Sequence, residues 1–230
     1  MTAFRSFVFL LWFLAVTTVL SLIFLPVLVL PRGAAIRLAR AWSRATFFGL
    51  KWIAGLDWEI RGTPPEGPVL VAAKHMSMWD TLALYLALNR PAIVLKQSLL
   101  YIPFYGWFLW KATAIAIDRS AGASALRKMS AAAQKVLGQG RPILIFPEGT
   151  RKKPHAAPDY KPGVAGLYAL LKVPCVPVAL NSGVYWTGFI KKPGNIVLEF
   201  LEPIAPGLKR EAFMALLESR IETATSKLLP

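Results

Sequence analysis

The sequence predicts an α/β fold, a mixed and mostly buried sheet flanked by helices, preceded by an N-terminal membrane-anchoring helical segment. Three observations predict it. Residues 6–31 carry no charge, short apolar runs alternate with helical stretches after Gly55, and turns rich in Gly and Pro separate those runs. A length of 230 residues suits one domain with an appendage. Residues 1–55 are expected to form the anchor and a basic interfacial helix, and residues 56–230 the globular domain.

Composition narrows the partners. Lys and Arg number 27 against 12 acidic residues, giving a net charge of +15, yet 55% of the chain is hydrophobic. That hydrophobicity excludes a disordered chain. The charge calls for an anionic partner, and the apolar share favours membrane phospholipids over nucleic acid. Cys175 is the single cysteine, and His75 and His155 the only histidines, so neither a disulfide nor a metal site is expected.

Taking the elements in order, residues 7–30 are interrupted by polar side chains only at Thr17, Thr18 and Ser21. A helix of about 20 apolar residues spans a bilayer core of about 30 Å, and a signal peptide's apolar region is roughly half as long. The run is therefore expected to be an anchor, with Pro26 and Pro31 leaving open whether it spans or re-enters. Arg5 stands before it and Arg32, Arg37, Arg40 and Arg44 after it, which places the domain on the cytoplasmic face of the inner (plasma) membrane. Arg37, Arg40, Arg44 and Lys51 fall within about 60° of one another on a helix, and the remaining faces carry Trp42, Phe47, Phe48 and Trp52. This predicts a helix lying at the interface with its cations on lipid phosphates.

Strands are expected at 68–73, 92–95, 114–117, 142–146, 175–180 and 195–201, and helices at 81–88, 121–137, 164–171 and 210–229. Strand direction is not set by this pattern. A proline within an apolar run, Pro177, predicts an edge strand or a bulge.

Four segments could carry chemistry, three of them at strand ends. His75-Met76-Ser77-Met78-Trp79-Asp80 places a histidine five residues before an aspartate. An imidazole, ordinarily titrating near about 6.5, can take a proton from a hydroxyl while a carboxylate on its other nitrogen fixes the tautomer. The same spacing also fits a helix cap by Asp80 with an unrelated histidine. Phe146-Pro147-Glu148-Gly149-Thr150-Arg151 offers a glycine turn, a hydroxyl and a guanidinium that suit a phosphate, with Lys152 and Lys153 extending the field. It would also fit a turn with solvated cations. Ile117-Asp118-Arg119 supplies a second arginine to the same anion site, or a surface ion pair of little worth. Val176-Pro177-Val178 is explained by strand structure alone.

In this order and spacing the four segments resemble the blocks of the glycerolipid acyltransferases, specifically the 1-acyl-sn-glycerol-3-phosphate acyltransferases, over about residues 55–204. The resemblance implies that His75 is the general base and Asp80 its orienting acid. It implies that Arg119 and the turn Glu148-Gly149-Thr150-Arg151 hold the glycerol phosphate, that Lys96 and the Pro103-Phe104-Tyr105-Gly106 stretch lie near the site, and that Pro177 shapes a channel. The implied reaction acylates lysophosphatidic acid from acyl-CoA or acyl carrier protein, with no cofactor and no metal. The sequence departs from the family at Lys74, where many members have Asn, and at Thr113 and Ala116, where many have a glycine and an aromatic. Lys74 would either lower the pKa of His75 by like-charge repulsion or contact an acidic head group. These departures keep another lysolipid acceptor, such as a lyso-ornithine lipid, as an alternative. A non-catalytic module that binds anionic lipid is the other; it leaves the co-occurrence of the segments unexplained. No Gly-x-Ser-x-Gly elbow is present for a serine hydrolase.

Overall fold

A computed structural model describes residues 1–23, 30–102, 105–111, 114–118 and 122–230. The chain opens with helices α1 (Thr2–Ile23) and α2 (Arg32–Gly49), widens into a π-helical turn at Leu50–Ala54, and enters strand β1 (Leu56–Arg61). Then follow β2 (Leu70–Ala73), α3 (Met78–Ala87), β3 (Ala92–Lys96), a 3-10 turn at Gln97–Tyr101, α4 (Tyr105–Lys111), β4 (Ile115–Ile117) and α5 (Gly122–Leu137). The rest is β5 (Ile143–Ile145), α6 (Gly163–Leu171), β6 (Cys175–Leu180), the short α7 (Ser182–Tyr185), the hairpin β7 (Trp186–Thr187) and β8 (Ile190–Lys191), β9 (Gly194–Phe200) and α8 (Arg210–Leu228).

Among the described residues one sheet has seven strands in the order β1-β9-β6-β2-β5-β3-β4. Strands β6, β2, β5, β3 and β4 run parallel, β9 is antiparallel to β6, and β1 is parallel to β9. The sheet is therefore mixed, as expected. Every residue of β2, β5 and β6 is buried, the pattern of strands covered on both faces. Alternation sends Val71 and Ala73 to a core shared with Phe47, Trp79 and Tyr85, and Leu70 and Ala72 to a second core with Met129, Tyr168 and Phe213. The first face is covered by α2 and α3, the second by α5, α6 and α8.

Strand β1 and the β7–β8 hairpin lie outside the expected set, although Leu56-Asp57-Trp58-Glu59-Ile60-Arg61 alternates apolar and charged residues. Pro177 corrects one expectation and meets the other. Strand β6 is central, not an edge. Leu201 N–H donates to the Pro177 carbonyl at 3.0 Å, and Cys175 pairs with Ile204. From Val178 opposite Phe200 to Cys175 opposite Ile204, β6 advances three residues while the facing chain advances four. The missing N–H of Pro177 falls in this bulge, where no ladder bond is lost.

The N-terminal segment is a helical hairpin. Helix α1 lies antiparallel along α2: Trp12 donates to the Ala45 carbonyl at 2.9 Å, and Trp42 to Thr17 Oγ1 at 3.0 Å. Its start is held at the domain, with Arg5 Nε on the Ile53 carbonyl at 2.6 Å and Lys191 N–H on Ser6 Oγ at 2.9 Å. The start of α1 and the end of α2 thus lie on the domain's side, while Arg32, at the start of α2, lies at the far end of the hairpin from Arg5. Pro26 lies outside the described residues. Helix α1 is long and apolar enough to cross a membrane, and Phe4, Phe7, Leu11, Leu14 and Leu22 are exposed along it. This outer face suits association with a membrane.

The basic stripe is also partly reassigned. Arg40 donates to the carbonyls of Tyr85, Leu86 and Leu88 at 3.2–3.3 Å, satisfying the open C-terminal end of α3. The π-helical turn carries Lys51 to Asp57, 2.6 Å away, and that lysine's hydrogen bond lowers the Asp57 pKa. Arg37 and Arg44 remain exposed.

Candidate active site

The C-terminal ends of the parallel strands bring the predicted residues to one edge of the sheet, the place where open α/β sheets bind ligands. His75 follows β2, Lys96 ends β3, Phe146 follows β5, and Ser182 follows β6.

The turn after β2 is organised around Asp80, which is fully buried. Ser77 caps α3, and Asp80 closes a capping box as its third residue. Asp80 Oδ2 accepts from Met76 N–H at 2.6 Å and Ser77 N–H at 2.8 Å, and sits 2.9 Å from His75 Nδ1. Oδ1 accepts from Ser77 Oγ at 3.2 Å and from Ser182 Oγ. The helix-cap reading and the His–Asp reading of this segment therefore hold together: one carboxylate does both. A proton on Nδ1, facing the Asp80 carboxylate, leaves the Nε2 lone pair able to accept one. The imidazole stacks on Phe146 with centroids 3.9 Å apart, and its side chain is 12% exposed, enough to be reached from one side.

The turn after β5 is pinned to the first. Gly149 adopts φ +66°, a left-handed conformation that only glycine takes without strain, and its N–H closes the turn on the Phe146 carbonyl at 2.9 Å. Lys152 N–H donates to the His75 carbonyl at 2.8 Å, so Arg151 lies one residue from a direct contact with the His75 backbone. Thr150, Arg151 and Lys153 are exposed, while Lys152 pairs with Asp159 at 3.6 Å. Lys96 is exposed at its strand end.

Two expectations are corrected here. Glu148 faces the interior, 2% exposed, and its Oε1 accepts from Lys74 Nζ at 3.1 Å, so its carboxylate supports the turn rather than facing a phosphate. Lys74 neither faces His75 nor reaches a head group. It is 2% exposed, and strand alternation sends it to the α8 side, where Nζ also donates to Glu222 Oε1 at 2.8 Å. Tyr160 donates to the same Glu222 oxygen at 2.8 Å. Burial pushes the Glu148 pKa up against the pull of Lys74, and burial followed by Glu222 pushes the Tyr160 hydroxyl well up. Arg119, Thr113, Pro103 and Phe104 lie outside the described residues.

Sequence reasoning missed Ser182, which comes from 102 residues downstream of Asp80. No local spacing announces it.

The chain is similar to known proteins in sequence and in fold. A family model described as Acyltransferase matches residues 58–181. A 1-acyl-sn-glycerol-3-phosphate acyltransferase of Pseudomonas aeruginosa is 36% identical over 173 residues, 73% of this chain and 67% of the relative. A 1-acyl-sn-glycerol-3-phosphate acyltransferase alpha of Bos taurus is 31% identical over 209 residues, 85% of this chain and 72% of the relative. The crystal structure of the 1-acyl-sn-glycerophosphate acyltransferase from Thermotoga maritima superposes with a TM-score of 0.80 at 21% identity, covering 99% of this chain and 98% of that one.

Proposed function

Because the chain belongs to the acyltransferase family, we propose that it transfers an acyl chain to the sn-2 hydroxyl of lysophosphatidic acid and forms phosphatidic acid. The observation that carries the proposal is His75 Nδ1 on Asp80 Oδ2 at 2.9 Å, with the imidazole open on one side. Relatives bearing the 1-acyl-sn-glycerol-3-phosphate acyltransferase name supply the acceptor.

In this reading His75 Nε2 takes the hydroxyl proton as the oxygen attacks the thioester carbonyl. The ester C–O bond forms, the C–S bond breaks, and the imidazolium returns the proton to the departing thiolate. Asp80 stabilises the imidazolium without taking its proton. Such general-base assistance supplies about a hundred- to ten-thousand-fold, and holding the two substrates together supplies much of the rest. Arg151, Thr150, Arg119 and Lys96 are assigned to the acceptor's phosphate, whose negative charge suits the three cations among them. The donor is acyl-CoA or acyl carrier protein, and no cofactor is needed. Residues 1–55 seat the enzyme on phospholipid and residues 56–230 carry the chemistry. Arg5 alone precedes the apolar run while Arg32, Arg37, Arg40 and Arg44 follow it, and on that charge rule the domain is assigned to the cytoplasmic face.

The test is acyl transfer by purified protein in vesicles, with lysophosphatidic acid and a lyso-ornithine lipid as competing acceptors. Phosphatidic acid should be the product, and His75→Ala should lose about a thousandfold or more of the turnover while still binding vesicles. Near-normal turnover in that variant, or acylation of the ornithine lipid alone, would overturn the proposal.

A further inference from the structure

We propose that Lys74 is a positioning residue that sets the register between the base and the phosphate-binding turn, an inference that rests on the function proposed above. Lys74 and His75 are neighbours on an extended segment and point to opposite faces of the sheet. The lysine backbone is fixed to β6, its N–H donating to the Val178 carbonyl at 2.9 Å. Its ammonium is clamped between Glu148 of the β5 turn, at 3.1 Å, and Glu222 of α8, at 2.8 Å. The segment that carries His75 is thereby tied to β6, to the β5 turn and to α8.

The β5 turn is therefore tied to residues 74 and 75 from both faces. On one side is the Lys74–Glu148 pair; on the other are the Lys152 N–H on the His75 carbonyl, at 2.8 Å, and the Phe146 ring on the imidazole. Arg151 lies between Glu148 and Lys152, so its placement relative to His75 follows from these ties. Tyr160 and Glu222 bring α8 into the same lock. A lysine buried to 2% is retained only with partners, and two carboxylates around one ammonium hold it at a defined point. Surface charge has no such geometric consequence.

The experiment compares Lys74→Met, Lys74→Arg and the charge-neutral triple variant Lys74→Met, Glu148→Gln, Glu222→Gln, each in the full chain on vesicles. Melting temperature and the fraction of folded protein are measured beside kcat and KM for lysophosphatidic acid and for the acyl thioester. Displacements of about an ångström in such sites cost up to about a hundredfold, so kcat/KM for the acceptor should fall about tenfold to a hundredfold in Lys74→Met, with the donor KM unchanged. Lys74→Arg should recover most of the loss. The triple variant removes the buried charges together, so it tests the geometry even if the single variant fails to fold. The proposal is overturned if the folded triple variant matches the wild type on both substrates. It is equally overturned if the losses only track the unfolded fraction, for that is what a purely structural role gives. His75→Ala run in parallel separates the two readings. An inactive His75→Ala beside a fully active triple variant sinks the lock and spares the base, whereas an active His75→Ala sinks both.

Discussion

Two buried carboxylates at neighbouring strand ends are held in opposite ways. In the turn after β2, Asp80 has both oxygens filled, taking two backbone N–H groups, two hydroxyls and the imidazole. In the turn after β5, Glu148 meets Lys74 through Oε1 alone, and its buried Oε2 has no hydrogen-bond partner. The first carboxylate is held mostly by its own turn, with a single long-range addition from Ser182. The second depends on a side chain 74 residues away and carries an uncompensated desolvation cost. Donors fixed around an anion preorganise it for electrostatic work; an under-satisfied anion is a structural tie.

The same chemical change at the two positions should therefore give unlike results. Asp80→Asn leaves an oxygen for Met76 and Ser77 N–H, and the serine hydroxyls can turn to accept from the new amide. The protein should fold, losing about 1–3 kcal/mol as charge-assisted bonds become neutral ones, while turnover falls about a thousandfold or more because the imidazolium loses its counter-charge. Glu148→Gln keeps an acceptor for Lys74 and removes a poorly solvated charge, so stability should change by no more than about 1 kcal/mol. Denaturant unfolding and kcat for the two variants side by side check the contrast, and equal losses at both sites would erase it.

A smaller change sharpens the same comparison. Ser182→Ala takes one hydroxyl from Asp80 Oδ1 and leaves Ser77 in place. The expected result is a fall in kcat of about tenfold and a loss of about 1 kcal/mol, with both KM values unchanged. A kcat within a factor of about two of the wild type would mean that the β2 turn is self-sufficient and the long-range hydroxyl idle.

This contrast also explains what the sequence could reveal. Four of the five groups on Asp80 come from residues 75–77, so the spacing from His75 to Asp80 was enough to expose the pair and its capping role. The strands of the parallel sheet were visible as apolar runs for the same local reason. The partner of Glu148 and the role of Ser182 depend on which strands become neighbours, and sheet order is not written in periodicity. From sequence Lys74 is read against its neighbour His75 or an acidic head group, because Glu222 lies 148 residues away and reaches it only once α8 packs on the sheet. The fold of α1 back onto α2 was hidden likewise, since a hairpin and a single crossing share the same apolar run and differ only in contacts such as Arg5 on Ile53.

The least conspicuous expected effect is a pH dependence confined to the second turn. Burial raises the Glu148 pKa above that of an ordinary glutamate, with Lys74 opposing the shift. Between the ordinary value of 4.5 and the raised folded value, the native state holds a proton that the unfolded chain has released. Stability from this group is therefore fully present below about 4.5 and declines as pH climbs through that window. Glu148→Gln cannot titrate, so the difference in melting temperature between wild type and variant should favour the wild type at the acid end and shift toward the variant as pH rises to neutral. A difference that is flat across the window would mean that the carboxylate stays charged throughout, with Lys74 offsetting its desolvation in full. The two turns would then differ in the number of bonds they make and not in the state of their charge.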